Sequence, residues 1–175
     1  MHAVVGTIGC GRPYVLNSNP GGHAIGSLKN PTCHAELLNY QLKHLVNLGG
    51  APAIRVCEGG FGVARSEWRM VAALVEHGPA TVGELVEATR MEGARVSRLL
   101  ASLQGKGFVQ RLPAGGRSRA PLAATASGEK LYRELFPRLA AINRRLMEVL
   151  DENEARVLQD LLARLTARAE AVHAE

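Results

Sequence analysis

Residues 81–113 read TVGELVEATRMEGARVSRLLASLQGKGFVQRLP, and this stretch decides the fold. Thr81 stands ahead of the apolar pair Leu85 and Val86, with Glu84 three residues after it, the capping-box pattern of a helix start. Arg90-Met91-Glu92-Gly93 then predicts a tight turn. A second helix runs from about Gly93 to Gln104 and buries Val96, Leu99, Leu100 and Leu103, and Gly105 and Gly107 end it. Phe108 to Leu112 reads as a strand, Pro113-Ala114-Gly115-Gly116 as a turn, and Arg117 to Ala124 as a return strand in which Pro121 suits an edge.

Upstream, Ser66 to His77 reads as a helix with Trp68, Val71, Ala72 and Val75 inward, stopped by Gly78-Pro79. Another helix begins near Ala35. Its stripe is Leu38, Leu42, Leu45 and Val46, and Gly49, Gly50 and Pro52 predict a kink or an early end near residue 50, with a further turn through Ile54 and Val56. Downstream, Thr125 caps a long helix carrying Leu131, Leu135, Leu139, Ile142 and Leu146, with Pro137 as a bend. Asp151 or Asn153 starts a last helix bearing Leu158, Leu161, Leu162 and Leu165. Residues 1–32 are rich in Gly and Pro and show no period, so they read as a mobile arm or an over-long start.

The order helix, short helix, turn, helix and Gly-rich ribbon gives a mainly α fold with a small two- or three-stranded β wing, a winged helix-turn-helix. Residues 90–119 hold seven Lys or Arg and a single acid, Glu92. With a net charge of +5, that block favours a polyanionic partner. Gly93, Ala94, Arg95, Ser97 and Arg98 fall on the first turns of the fourth helix, opposite its apolar face. Small residues there permit close approach to double-stranded DNA, Ser97 can bond a phosphate or base, and Arg95 and Arg98 can reach base edges. Thr81 joins them at the preceding helix start, and Arg117, Ser118 and Arg119 at the wing tip suit a narrow minor groove. Any one of these arginines alone suits a solvated face equally well. The assembled set points to DNA.

From Phe61 to Glu170 the chain resembles the MarR family of bacterial regulators. The resemblance is carried by Ser66-Glu67-Trp68-Arg69 with Leu74, by 78–85 (GPATVGEL), and by Val96-Ser97-Arg98-Leu99-Leu100. Further matches are Leu103 with Gly107-Phe108-Val109, Thr125-Ala126-Ser127-Gly128, and Leu150-Asp151-Glu152-Asn153-Glu154. It implies a cytoplasmic homodimeric repressor whose first, fifth and sixth helices pack together, with two recognition helices about 34 Å apart on a pseudo-palindromic operator. The segments are then an arm at 1–32, a dimerisation helix at 33–60, the winged lobe at 61–125 and C-terminal dimerisation helices at 126–175. The last-helix leucine stripe suits intrachain core or a dimer interface equally. Family wings carry an acid just before the arginine, where this chain has Gly115 and Gly116, so either Arg117 or Arg119 is the inserted residue.

The resemblance also implies release from DNA by a small aromatic carboxylate or phenolic effector. Tyr40, His44 and Asn47 of the first helix and Trp68 and Arg69 of the second are its candidate partners, each of them equally suited to an ordinary structural place. Thiol oxidation at Cys33, near the first helix start, is the alternative sensing mode, although peroxide-sensing members carry their cysteine deeper, near Leu42. Cys10, Cys33 and Cys57 are odd in number and widely spaced, which argues against a disulfide framework and fits a reducing compartment. No apolar run spans a membrane, and Met1-His2-Ala3-Val4-Val5 does not open a signal peptide. An enzyme fares worst. There is no nucleotide-binding glycine loop and no HExxH, and a thiol enzyme on Cys33 or Cys57 has no supporting context, so no catalytic residue, metal or cofactor is assigned.

Overall fold

The computed structural model describes residues 28–113 and 120–174. The described residues divide into two units, with the boundary between Gly50 and Ala51. The division falls among Gly49, Gly50 and Pro52, where a break was expected. The helix itself does not end there: α1 runs Leu38–Arg55 with Pro52 inside it, and a π-helical turn, Val56–Gly60, follows. One proline removes one backbone donor, and the helical bonds of its neighbours carry the element past it. Nor does α1 begin at Ala35. His34–Glu36 form a single 3-10 turn, with Glu36 accepting from the amide and the hydroxyl of Thr32 at 2.5 and 2.9 Å.

The second unit holds α2 (Arg65–His77), α3 (Val82–Thr89), α4 (Gly93–Gly105), β1 (Val109–Arg111), β2 (Leu122–Ala124), α5 (Ala126–Met147) and α6 (Glu152–His173). Thr81 and Glu84 complete the expected capping box, with Thr81 Oγ1 accepting from the Glu84 amide and Glu84 accepting from the Thr81 amide at 2.7 Å. Asp151 and Glu154 do the same for α6, so Asp151 rather than Asn153 is the cap. Arg90 takes the left-handed conformation, φ 53°, that ends α3 and turns the chain toward α4.

The core gathers Met70, Val71 and Leu74 of α2, Leu85 of α3, Val96, Leu100 and Leu103 of α4, Val109 and Leu122 of the strands, and Leu131 and Leu135 of α5. Of the residues expected inward on α2, Trp68 and Val71 are buried, while Ala72 and Val75 are only half-buried. Met70 and Leu74 take the innermost places instead. β1 is one residue shorter than expected at each end, and β2 ends at Ala124 as expected but begins at Leu122, the residues 117–119 of its expected start lying outside the described ones. β1 pairs antiparallel with β2 through Val109 with Ala124 and Arg111 with Leu122. Leu112 and Pro121 lie just outside, yet the Leu112 amide still donates to the Pro121 carbonyl at 2.8 Å, a bond that needs no proline donor. A reciprocal pair of bonds between Ala80 and Leu122 adds one residue of a third strand.

The wing is joined to α5 at very close range. Thr125 caps α5 by accepting from the Gly128 amide, while its hydroxyl donates to the Gly107 carbonyl at 2.7 Å and its amide to Phe108 O at 3.0 Å. A Cβ on Gly128 would lie 2.2 Å from that same Phe108 oxygen, so only glycine fits. Gly128→Ala is expected to lower the unfolding free energy by about 1–3 kcal/mol through overpacking. Gly105→Ala meets nothing within 4 Å and should be neutral or stabilising. Urea unfolding of the two variants checks the contrast, and equal effects would reject the close approach.

Candidate nucleic-acid interface

α4 is packed so that one of its faces must turn outward. Val96, Leu100 and Leu103 are buried, with Leu99 half-buried beside them. The 3.6-residue period then turns Ala94, Arg95, Ser97 and Arg98 to solvent, and all four are exposed, with Gly93 half-exposed at the first turn. Thr81 is half-buried in its cap. Its backbone amide, and after it its hydroxyl, hold the Glu84 carboxyl below the usual range. The wing candidates Arg117, Ser118 and Arg119 lie outside the described residues. Where the ribbon is described, the Arg111 guanidinium donates to the Ala120 carbonyl at 3.3 Å.

Beside the exposed face of α4 lies a cleft of about 460 Å³ bordered by Arg95, Arg98 and Leu99, by Ser102 and Lys106, and by Glu67 at the start of α2. Glu67 is the buried cleft residue that the sequence reading did not single out as a site. Its side chain is 5% exposed, and three donors converge on it. Oε2 accepts from Lys106 Nζ at 2.7 Å and from the Ala64 amide at 2.7 Å, and Oε1 accepts from Ser102 Oγ at 2.5 Å. Burial alone would push this carboxyl up, but the hydrogen bonds from Lys106, Ser102 and Ala64 outweigh it and leave it lowered. The one local signal is Glu67 at the third position of α2, where it caps the first turn; its other partners come from 35 and 39 residues away.

The candidate effector residues are placed separately in the two units. On α1, Tyr40 is half-buried with its ring edge-on to His34 at 4.7 Å, and His44 and Asn47 are exposed. On α2, Trp68 is buried and stacks on Tyr132 of α5 at 5.4 Å, and Tyr132 in turn stacks on Phe136 and donates to Glu76. Arg69 is exposed, and it borders with Trp68, Glu76 and His77 a pocket of about 200 Å³ between α2 and α3. Cys33 precedes the 3-10 turn rather than the first turn of α1, so the helix start invoked for it lies further on. Cys57 is fully buried, and burial pushes its thiol up, which suits a packing residue and not a nucleophile. Among the described residues no group of His, Cys, Asp and Glu could hold a metal, and no helix is long and apolar enough to cross a membrane.

Packing α4 across α2 and α3, with the antiparallel ribbon hung directly from its end, defines a winged helix-turn-helix DNA-binding fold. Residues 61–120 match the family model described as MarR family. Over 112 residues the chain is 29% identical to the HTH-type transcriptional regulator FarR of Neisseria gonorrhoeae, covering 63% of this chain and 77% of that one. Among solved structures, ligand-free NadR superposes with a TM-score of 0.68 at 26% identity, over 78% of this chain and 98% of NadR. The S. aureus MepR–DNA complex superposes with a TM-score of 0.71 at 19% identity, over 78% of this chain and 99% of that chain, a likeness of fold. Over residues 61–120 the chain is thus similar to the MarR family of transcriptional regulators, and the likeness of fold extends over about three quarters of its length.

The lowered Glu67 carboxyl makes stability depend on pH in a definite direction. Its ordinary value is 4.5 and its folded value lies below that, so its contribution is complete above about pH 4.5 and is lost as pH falls through the folded value. Glu67→Gln should therefore cost about 1–3 kcal/mol near neutrality, and the gap to the wild type should close in acid. A gap that stays constant down to pH 3, measured by urea unfolding, would reject the ionised pairing.

Proposed function

We propose that this protein is a transcriptional repressor that binds a pseudo-palindromic operator as a homodimer and is released by a small aromatic acid. The observation that carries the DNA part is the outward face of α4, with Ala94, Arg95, Ser97 and Arg98 exposed opposite its buried leucines. Arg95 and Arg98 read base edges or phosphates, Gly93 and Ala94 allow close approach, Ser97 bonds the backbone and the Thr81 turn abuts it. Arg117, Ser118 and Arg119 supply the minor-groove contact of the wing.

The homodimer is supported by apolar surface that the single chain leaves open. α6 has no buried residue, and Leu158, Leu161, Leu162 and Leu165 are each between 37% and 45% exposed. That favours the interface reading of the stripe over intrachain core. On α1, Leu45 and Val46 are also exposed. The effector reading is supported by the similarity to the MarR family over residues 61–120 and by NadR, which at 26% identity is known in complex with 4-hydroxyphenylacetate. Tyr40, His44 and Asn47, and separately Trp68 and Arg69, are the groups we assign to a phenolic or carboxylate effector. A cation and aromatic faces suit a planar acid.

Selection of duplexes from a genomic fragment pool tests the reading. Binding should fall steeply with salt. Arg95→Ala or Arg98→Ala should each weaken the selected site by about 1–3 kcal/mol where a bidentate base contact is lost. Unchanged affinity for both would remove α4 from readout. Leu162→Asp should convert a dimer into a monomer by light scattering while Trp68 fluorescence keeps its folded signature, because α6 contributes nothing to the lobe core. A dimer that survives the change rejects α6 as the interface.

A further inference from the structure

We infer that Glu67, Ser102 and Lys106 form a latch that seats the recognition helix on α2, and that Glu67 is a positioning residue for DNA binding. The inference rests on the DNA reading proposed above and adds to it the element that fixes where Arg95 and Arg98 stand.

Geometry carries it. α4 meets α2 through an apolar face, and apolar contacts alone leave sliding and rotation of one helix on another weakly fixed. Glu67 lies in the first turn of α2, whereas Ser102 lies near the end of α4 and Lys106 just after it. Oε1 and Oε2 each take one of these two partners, so the carboxylate grips α4 at two points four residues apart. Lys106 has a second anchor, since its Nζ also donates to the Gly62 carbonyl at 3.0 Å in the turn that leads into α2, where Gly62 has φ +64°. Donors with fixed directions thus set rotation and axial register together. Lys106 is also the last residue before the Gly107 turn, φ +75°, that sends the chain into β1. The same point therefore fixes where the wing departs.

The charge balance is specific to this place. Arg95, Arg98, Ser102, Lys106, Glu58 and Glu67 border one cleft. Paired with Lys106, Glu67 presents no net charge toward a phosphate. Unpaired, it would be a desolvated anion beside the two DNA-reading arginines, able to draw either of them inward. A buried pair adds little net stability over a neutral pair of equal size, while loss of one partner is costly. What the pair supplies is a single seating.

A double-mutant cycle on DNA affinity tests this. The probe is one duplex selected by wild-type protein from a random-sequence pool, titrated at several salt concentrations, with folding monitored by circular dichroism. Lys106→Met should weaken binding at least about tenfold, and Glu67→Gln/Lys106→Met should be within about threefold of Lys106→Met itself, because the seating is lost once, with the wild-type salt slope in both. Ser102→Ala should weaken binding less, again at an unchanged slope. If Lys106→Met does not fold, Ser102→Ala and the double variant decide. Wild-type affinity in Ser102→Ala and in every folded variant overturns the latch. A double variant that stays weak with a salt slope smaller by about one overturns it too, because Lys106 would then itself contact a phosphate. A wild-type protein that selects no duplex overturns the DNA reading and the positioning role with it, an outcome distinct from the other two.

Discussion

The structure turns on the burial of one face of α4. Val96 and Leu103 are fully buried and Leu100 nearly so, and they pack with Met70, Val71 and Leu74 of α2 and with Leu85 of α3. Burial of three such side chains contributes roughly 5–9 kcal/mol, comparable to the whole stability of an ordinary domain. Helical geometry allows no choice about the consequence. Once those residues face in, Ala94, Arg95, Ser97 and Arg98 face out, in a segment whose neighbours supply almost no negative charge. The cationic face is thus produced by the core and does not have to be arranged separately.

Two further constraints convert that packing into a defined shape. The close approach of Gly128 to Phe108 O, together with the Thr125 bonds to Gly107 and Phe108, welds the base of the ribbon to the start of α5. The Glu67 carboxylate joins the start of α2 to the end of α4. Both lie within a few residues of the Gly107 turn, so the chain passes from helix to strand through a segment held from two sides. Flexible loops would leave that crossing loose, and a reading element gains affinity when its geometry is fixed before binding.

Local signals made most of the elements legible. Thr81 with Glu84, Thr125 with its apolar run, Gly78-Pro79 and the spacing of Val96, Leu100 and Leu103 each act over a few residues, and each was readable from the chain alone. The errors came where non-local forces decide. Gly49, Gly50 and Pro52 allow either a kink or an early end by propensity, and of these the early end does not occur: α1 continues to Arg55, because tertiary and helical context can override a weak local preference. Met70 and Leu74 displaced Ala72 and Val75 from the innermost places because the larger side chains exclude more apolar surface from water. Glu67 carried a capping signal only; nothing in its own neighbourhood announced Ser102 and Lys106. The exact ends of β1 and β2 also depend on pairing partners more than on β propensity.

The uncovered leucines of α6 follow the same logic as α4, with the opposite outcome. Leu158, Leu161, Leu162 and Leu165 form a stripe at i, i+3, i+4 and i+7, which costs free energy in water when left exposed. Asp151 and Glu154 cap this helix fully, and Arg90 pairs with Glu170 near its far end, so its polar groups are provided for while its apolar ones are not. On the proposed reading, a second copy removes that cost and in the same step sets two α4 faces on one duplex. The second contact is then intramolecular, and its effective concentration multiplies the affinity of the first. Oligomerisation and DNA recognition are on this view one energetic problem: a lobe of this size presents only a few cations to the duplex, and the apolar stripe is what doubles them.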